Sequence, residues 1–100
     1  MLSLRIDPGF DDDLSHAIAW YSEHRDAEKA AALESEVRAG LLAIKDHPRR
    51  HHFDITGFRR LNLRKFPYCI LYDETLIEVL VFALRHNSQK PTHGTRRLQS

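Results

Sequence analysis

The segment "FRRLNLRKFPYCILYDE" (58–74) holds four cations, Arg59, Arg60, Arg64 and Lys65, within seven residues. Cations at that density suit an anionic partner. On an extended chain Arg60 and Arg64 would stand about 13 Å apart on one face. Two charges so placed could span two or so phosphates of a nucleic-acid strand. Phe58, Phe66, Tyr68 and Tyr72 add aromatic surface nearby for base stacking. The competing reading is an edge strand that uses charge to repel other strands. We take Arg59, Arg60, Arg64, Lys65 and Tyr72 as the candidate target-binding set.

A second pair is Arg85 and His86, at the end of an apolar run. A histidine on a rigid strand end could act as general acid or base, with the arginine holding an anion. The alternative is a surface histidine in a polar turn. The other histidines do not match a metal pattern: His47, His51 and His52 cluster, His93 lies apart, and no fourth ligand is evident. Asp11, Asp12 and Asp13 are adjacent in a helical first turn, where carboxylates point apart rather than converge. Cys69 sits in an apolar strand and reads as a core thiol; a nucleophile would need a base and an electropositive setting. No Gly-rich phosphate loop, G-x-S-x-G elbow or H-E-x-x-H is present. Neither metal nor cofactor is expected.

These residues need a scaffold. One hundred residues suggest one domain, with enough chain for a real core. Net charge is only +1, but it is unevenly spread. Residues 1–48 hold five Lys/Arg against ten Asp/Glu; residues 49–100 hold ten against four. The basic half faces a polyanion, or the halves neutralise one another across the fold. One cysteine excludes an internal disulfide. The start lacks signal-peptide character and no stretch approaches a membrane span, so a cytoplasmic protein is expected.

"LSLRI" (2–6) alternates as a half-buried strand, broken by "DPG". Residues 11–25 place Leu14, Ala17, Ile18 and Tyr21 on one helical stripe, with the aspartates at the N-terminus. Residues 26–48 form the stronger helix: Asp26 caps it, Ala30, Leu33, Val37, Leu41 and Ile44 mark its buried face, and Pro48 follows its end. The short break predicts a helical hairpin. Strands follow at 58–66, 68–73 and 76–84, the last apolar on both faces and therefore central. The predicted fold is α+β: an N-terminal strand and a two-helix hairpin packed on an antiparallel sheet of about four strands. The helices would cover one sheet face and leave the other partly bare, carrying Arg60, Arg64 and Arg85. Residues 1–90 form the domain and 91–100 a loose polar tail.

The ordered set of motifs resembles the RelE/ParE toxin superfamily, the toxic halves of bacterial type II toxin–antitoxin modules. The likeness spans residues 2–90: "DLSHAIAWY" (13–21), "LLAIKDHP" (41–48), "FRRLNLRKFPYCILYDE" (58–74) and "IEVLVFALRHNSQKP" (77–91). It implies the fold just read and an antitoxin partner, docking in a groove between the helices lined by Trp20, Tyr21, Leu33 and Val37. RelE-like members cleave mRNA on the ribosome without a metal; ParE-like members poison DNA gyrase. Ribosome-dependent members carry an arginine just before the Ile-Leu-Tyr-like run, where this chain has Cys69. "FPY" leans toward ParE-like and plasmid-stabilisation proteins. The resemblance therefore favours a ParE-like toxin that inhibits growth. A ribosome-dependent endoribonuclease using Arg85 and His86 is the alternative, and a non-toxic binding member of the same fold is a third.

Overall fold

The computed structural model describes residues 2–98. The element order is β1 (Ser3–Ile6), α1 (Pro8–His24), α2 (Ala27–Asp46), β2 (Arg59–Asn62), β3 (Tyr68–Glu74) and β4 (Glu78–His86), with a 3₁₀ turn at Thr95–Leu98. One four-stranded sheet forms in the order β1-β4-β3-β2. The pairs β2–β3 and β3–β4 are antiparallel, but β1 runs parallel to β4, so the sheet is mixed. β4 is central, as its two-sided apolar sequence predicts.

The helix starts follow capping chemistry. Asp7 accepts a hydrogen bond from the Gly9 N–H at 2.8 Å, and Pro8 takes the first helical position. "DPG" therefore opens α1 as well as ending β1, and the helix begins three residues earlier than its apolar stripe suggests. Asp26 caps α2 through the Lys29 N–H at 2.8 Å. Ala30, Leu33, Val37, Gly40 and Ile44 of α2 turn inward.

The main core lies between the helices and the sheet. Phe10, Ala17, Leu33, Val37 and Ile44 meet Ile70, Tyr72, Val79, Val81 and Leu84. Burying each large side chain contributes about 1.5–3 kcal/mol. The strand register changes between Leu71 and Tyr72: Leu71 pairs with Ala83 and Tyr72 with Val81, leaving Phe82 as the extra residue of a bulge. Phe82 and Ala83 can then both join the opposite face.

That opposite face is not bare. Cys69, Leu71, Phe82 and Ala83 form a second small core, covered by Phe58, Leu80 and Leu98. Phe58 meets Phe82 edge-on at 5.2 Å. The C-terminal segment is not loose through residue 98 either. Arg97 donates to both oxygens of Asp13 (2.8 and 3.2 Å) and to the Phe82 carbonyl (2.8 Å). Asp13 also accepts the Leu84 N–H at 3.0 Å and lies 3.2 Å from His93 Nε2. Asp13 and Arg97 together thus satisfy backbone groups of β4 beyond the end of its pairing with β1.

β2 is shorter than the alternation of 58–66 suggests. It ends at Asn62, and the amides of Arg64 and Lys65 turn to the Glu36 carboxylate on α2. Leu76 and Ile77 lie at the exposed β3–β4 turn rather than in β4.

The C-terminal segment can approach β4 only through glycine. Gly94 has φ +82°, and a Cβ there would lie 2.7 Å from Ala83 Cβ. Gly94→Ala is expected to lower stability by about 1–3 kcal/mol from backbone strain, with the steric overlap added. Gly57 has φ +91° and open space, so Gly57→Ala should show the backbone cost alone. Urea denaturation with an unchanged slope is the check; equal losses at the two glycines would mean the C-terminal packing contributes nothing.

Candidate functional site

The basic strand does not present its cations together. Arg59 and Arg60 point to opposite faces, as neighbours on a strand must. Arg59 donates to Glu74 (3.1 Å) and to the His51 carbonyl (2.8 Å), and stacks 4.2 Å from the Phe53 ring centroid. Arg49 binds the other Glu74 oxygen. These cations hold the end of β3 against the segment before β2.

Arg60 lies on the second face with Arg85. Arg85 is buried and makes a two-point pair with Asp54, at 2.7 and 3.1 Å. It also donates to the Pro91 carbonyl at 3.0 Å. Asp54 further accepts from the Thr56 N–H and hydroxyl at 3.1 and 2.7 Å. Arg60 reaches Asp54 only at 3.3 Å, and its buried Nε has no partner among the described residues. Two guanidinium groups thus share one carboxylate. They line a polar hollow of about 370 Å³ with Asn62, Asn87, Gln89 and Pro91. An anion could enter there, with Arg60 as its open cation.

Arg64 and Lys65 belong to another place. They rim a groove of about 580 Å³ between α2 and the end of β2, floored by small residues including Ala32, Ala39, Gly40 and Ala43. Gly40 is needed for this closeness, since a Cβ there would lie 2.6 Å from Leu61 Cδ2. The outer edge of β2 is covered only in part: Arg60 N–H donates to the His52 carbonyl at 2.9 Å, and Phe53 bridges Arg59.

Several expected site residues are internal. Tyr72 is fully buried and donates its hydroxyl to the Pro48 carbonyl at 2.6 Å, tying β3 to the end of α2. Burial pushes its phenol up to about 12. It is a core strut and offers no surface to a target. Leu33 and Val37 are likewise in the core, so they line no open groove. Trp20 and Tyr21 are accessible, but they face Pro67, Tyr68 and His86 rather than α2. The expected inter-helix groove is replaced by the one between α2 and β2.

Arg85 and His86 also separate. Arg85 pairs across from Cys69 on the second face, while His86 pairs across from Tyr68 on the helix-covered face. His86 Nδ1 accepts the Ser88 N–H at 3.0 Å. Cys69 is buried, and burial pushes its thiol pKa up despite the nearby arginines. It is a core thiol and not a nucleophile. Among the described residues, no group of three His, Cys, Asp or Glu side chains could hold a metal.

Asp54 went unmarked in the sequence because "FDITG" reads as a loop. Its signal was slight: one carboxylate between two apolar residues, in the basic half. Asp13 likewise read as a helix-terminal charge. Ala32, Ala39, Gly40 and Ala43 of α2 lie off the apolar stripe marked in the sequence, so the groove they floor was not expected.

Hydrogen bonds from Arg85 and Thr56 hold the Asp54 carboxyl well below its usual range, against the opposing effect of burial. A depressed carboxylate contributes stability that is complete above its unfolded pKa and is lost as pH falls toward the folded value. Stability should therefore drop below about pH 4, near the unfolded value of an aspartate. Asp54→Asn should cost about 3–5 kcal/mol at neutral pH, by leaving Arg85 charged and buried. It should also flatten the acid dependence. Urea titrations at pH 7, 4 and 2.5 test this; an unchanged acid profile would assign that loss to other carboxylates.

With the geometry established, known proteins supply context. The chain matches the family model described as "ParE toxin of type II toxin-antitoxin system, parDE" over residues 4–91. No curated protein matches it in sequence. Among solved structures it is similar to a chain titled "Chromosomal ParDE TA system from P. aeruginosa". The TM-score is 0.75 at 17% identity, covering 86% of this chain and 96% of the other. That likeness concerns the fold, and the family model carries the membership. With two helices on a four-stranded sheet and a match from β1 to beyond β4, the chain belongs to the ParE toxin family of the RelE/ParE superfamily.

Proposed function

We propose that this chain is the toxin of a type II toxin–antitoxin module, acting on DNA gyrase and silenced by a cognate antitoxin. The observation that carries the choice of target is the state of Arg85. A ribonuclease of this fold needs open cations to hold phosphate and stabilise the phosphorane. Here Arg85 is bound to Asp54 and Pro91, Cys69 stands where the nuclease branch has an arginine, and His86 faces the other side. Arg60 lies beside Arg85, pairs with the same carboxylate at 3.3 Å and has a buried Nε without a partner among the described residues. This arrangement favours recognition of a target surface over phosphodiester cleavage. The ribosome-dependent reading is second, and a purely binding member third.

The antitoxin is assigned to the groove between α2 and β2. Its floor of small residues admits the apolar side of an amphipathic segment. Arg64 and Lys65 at its rim suit acidic residues on that segment.

Induced expression of the folded chain should arrest growth, with filamentation and an SOS response if gyrase is the target. Rapid mRNA cleavage at ribosomes would instead favour the nuclease reading, and harmless expression of folded protein would leave the binding reading. Arg60→Ala should abolish toxicity at unchanged circular dichroism; retained toxicity would move the effector surface to the C-terminal segment. In co-expression with the antitoxin, Ala39→Arg should restore growth arrest by blocking the groove. Continued neutralisation with unchanged affinity would place the antitoxin elsewhere.

A further inference from the structure

Between α1 and the adjoining ends of β3 and β4 lies a cleft that no part of the toxin reading uses. It has two chambers, of about 490 and 310 Å³. Trp20, Tyr68 and His86 line both. Trp20 is 45% exposed, large for an indole without a partner protein. It is nevertheless held in place. His24 stacks on it at 4.7 Å and 13°, and the His24 Nδ1–H donates to the Trp20 carbonyl at 3.0 Å. Tyr21 packs against its edge at 5.0 Å. Tyr68 is set edge-on against His86 at 4.9 Å. The cleft thus presents rings already fixed in orientation, at little further entropic cost to a ligand.

The lining of the two chambers holds one guanidinium and one carboxylate. Arg25 lines the first chamber and has no carboxylate partner among the described residues. His16 and His93 line the second. The carboxylate of the cleft, Asp13, is engaged by Arg97, His93 and the Leu84 N–H. Aliphatic lining is limited to Ala17, Leu84 and Pro67. A peptide's aliphatic anchor would find little to pack on. A planar ring joined to an anion would find a stacking surface and a cation.

We propose that this cleft binds a nucleotide unit of single-stranded nucleic acid, with the base against Trp20 and Tyr68 and the phosphate at Arg25. It is a binding site and not a cleavage site. It does not depend on the gyrase reading, and its test uses no gyrase.

Trp20 is the only tryptophan in the chain, so its fluorescence reports the site directly. The purified full chain is titrated with an eight-residue oligothymidylate, with thymidine monophosphate, with a duplex of equal length, and with an acidic peptide carrying one aromatic residue. The oligonucleotide should quench Trp20 and the duplex should not. Tyr68→Leu should weaken binding about fivefold to a hundredfold, by loss of a stacking surface. Arg25→Gln lies on the surface and keeps the test valid if Tyr68→Leu fails to fold. It should weaken binding and lower the salt dependence by about one unit of log–log slope. Equal affinity for the monophosphate would support the site with a free nucleotide as its ligand. No quenching by either nucleotide ligand would overturn the proposal, as would affinity and salt dependence unchanged in Arg25→Gln. Quenching by the peptide alone would overturn it in favour of a protein partner.

Discussion

A buried guanidinium on the central strand constrains most of what surrounds it. Arg85 is buried, so most of its charge must be met inside the protein. Asp54 meets it and Pro91 completes the set. Those two partners come from segments without regular secondary structure on either side of the sheet's last three strands. Drawing Asp54 inward lays residues 52–54 along the outer edge of β2 and brings Phe58 over Phe82. Drawing in the Pro91 carbonyl turns the chain back after β4 and leads Leu98 over the second core. An apolar residue in place of Arg85 could pack as well, but it would specify neither segment's position.

The same pair decides what the second face can do. It consumes the cation best placed to hold an anion and leaves Arg60 only partly satisfied. The face is therefore weakly basic rather than a built phosphate site. On the helix side, Tyr72 and Leu33 close the core, and the accessible chemistry is pushed to two margins. One is the small-residue groove beside Arg64 and Lys65; the other is the aromatic cleft beside Trp20. A fold of this size keeps its functional surface at its seams because its faces are used for packing.

Local patterns were legible in the sequence and long-range pairings were not. The stripe of α2, the alternation of β1 and the two-sided apolar run of β4 each follow from side-chain period alone, though β4 lies two residues later than expected, at Glu78–His86. The start of α1 was hidden because Asp-Pro-Gly satisfies both a breaker and a cap-plus-N1 reading. The end of β2 was hidden because the alternation continues through Leu63, while a carboxylate 28 residues earlier turns the chain. Family membership was legible from the order of its motifs. The site was less so: a count of cations cannot reveal which are spent on partners 31 or 84 residues away. Tyr72, Leu33 and Val37 carry the residue types of a binding surface and lie inside it.

The parallel pairing of β1 with β4 has a consequence in time. Ser3 sits beside Glu78 and Ile6 beside Val81. A chain made at about 5–20 residues per second completes its helical hairpin several seconds before that partner strand exists. The hairpin must wait with Leu33, Val37 and Ile44 open to water. Arg85 arrives later still, and Arg97, which seals β4 against Asp13, follows it by a further twelve residues. A nascent chain that has not yet reached Leu98 therefore lacks a closed second face, and that face takes shape only after β4 and the turn beyond it are made.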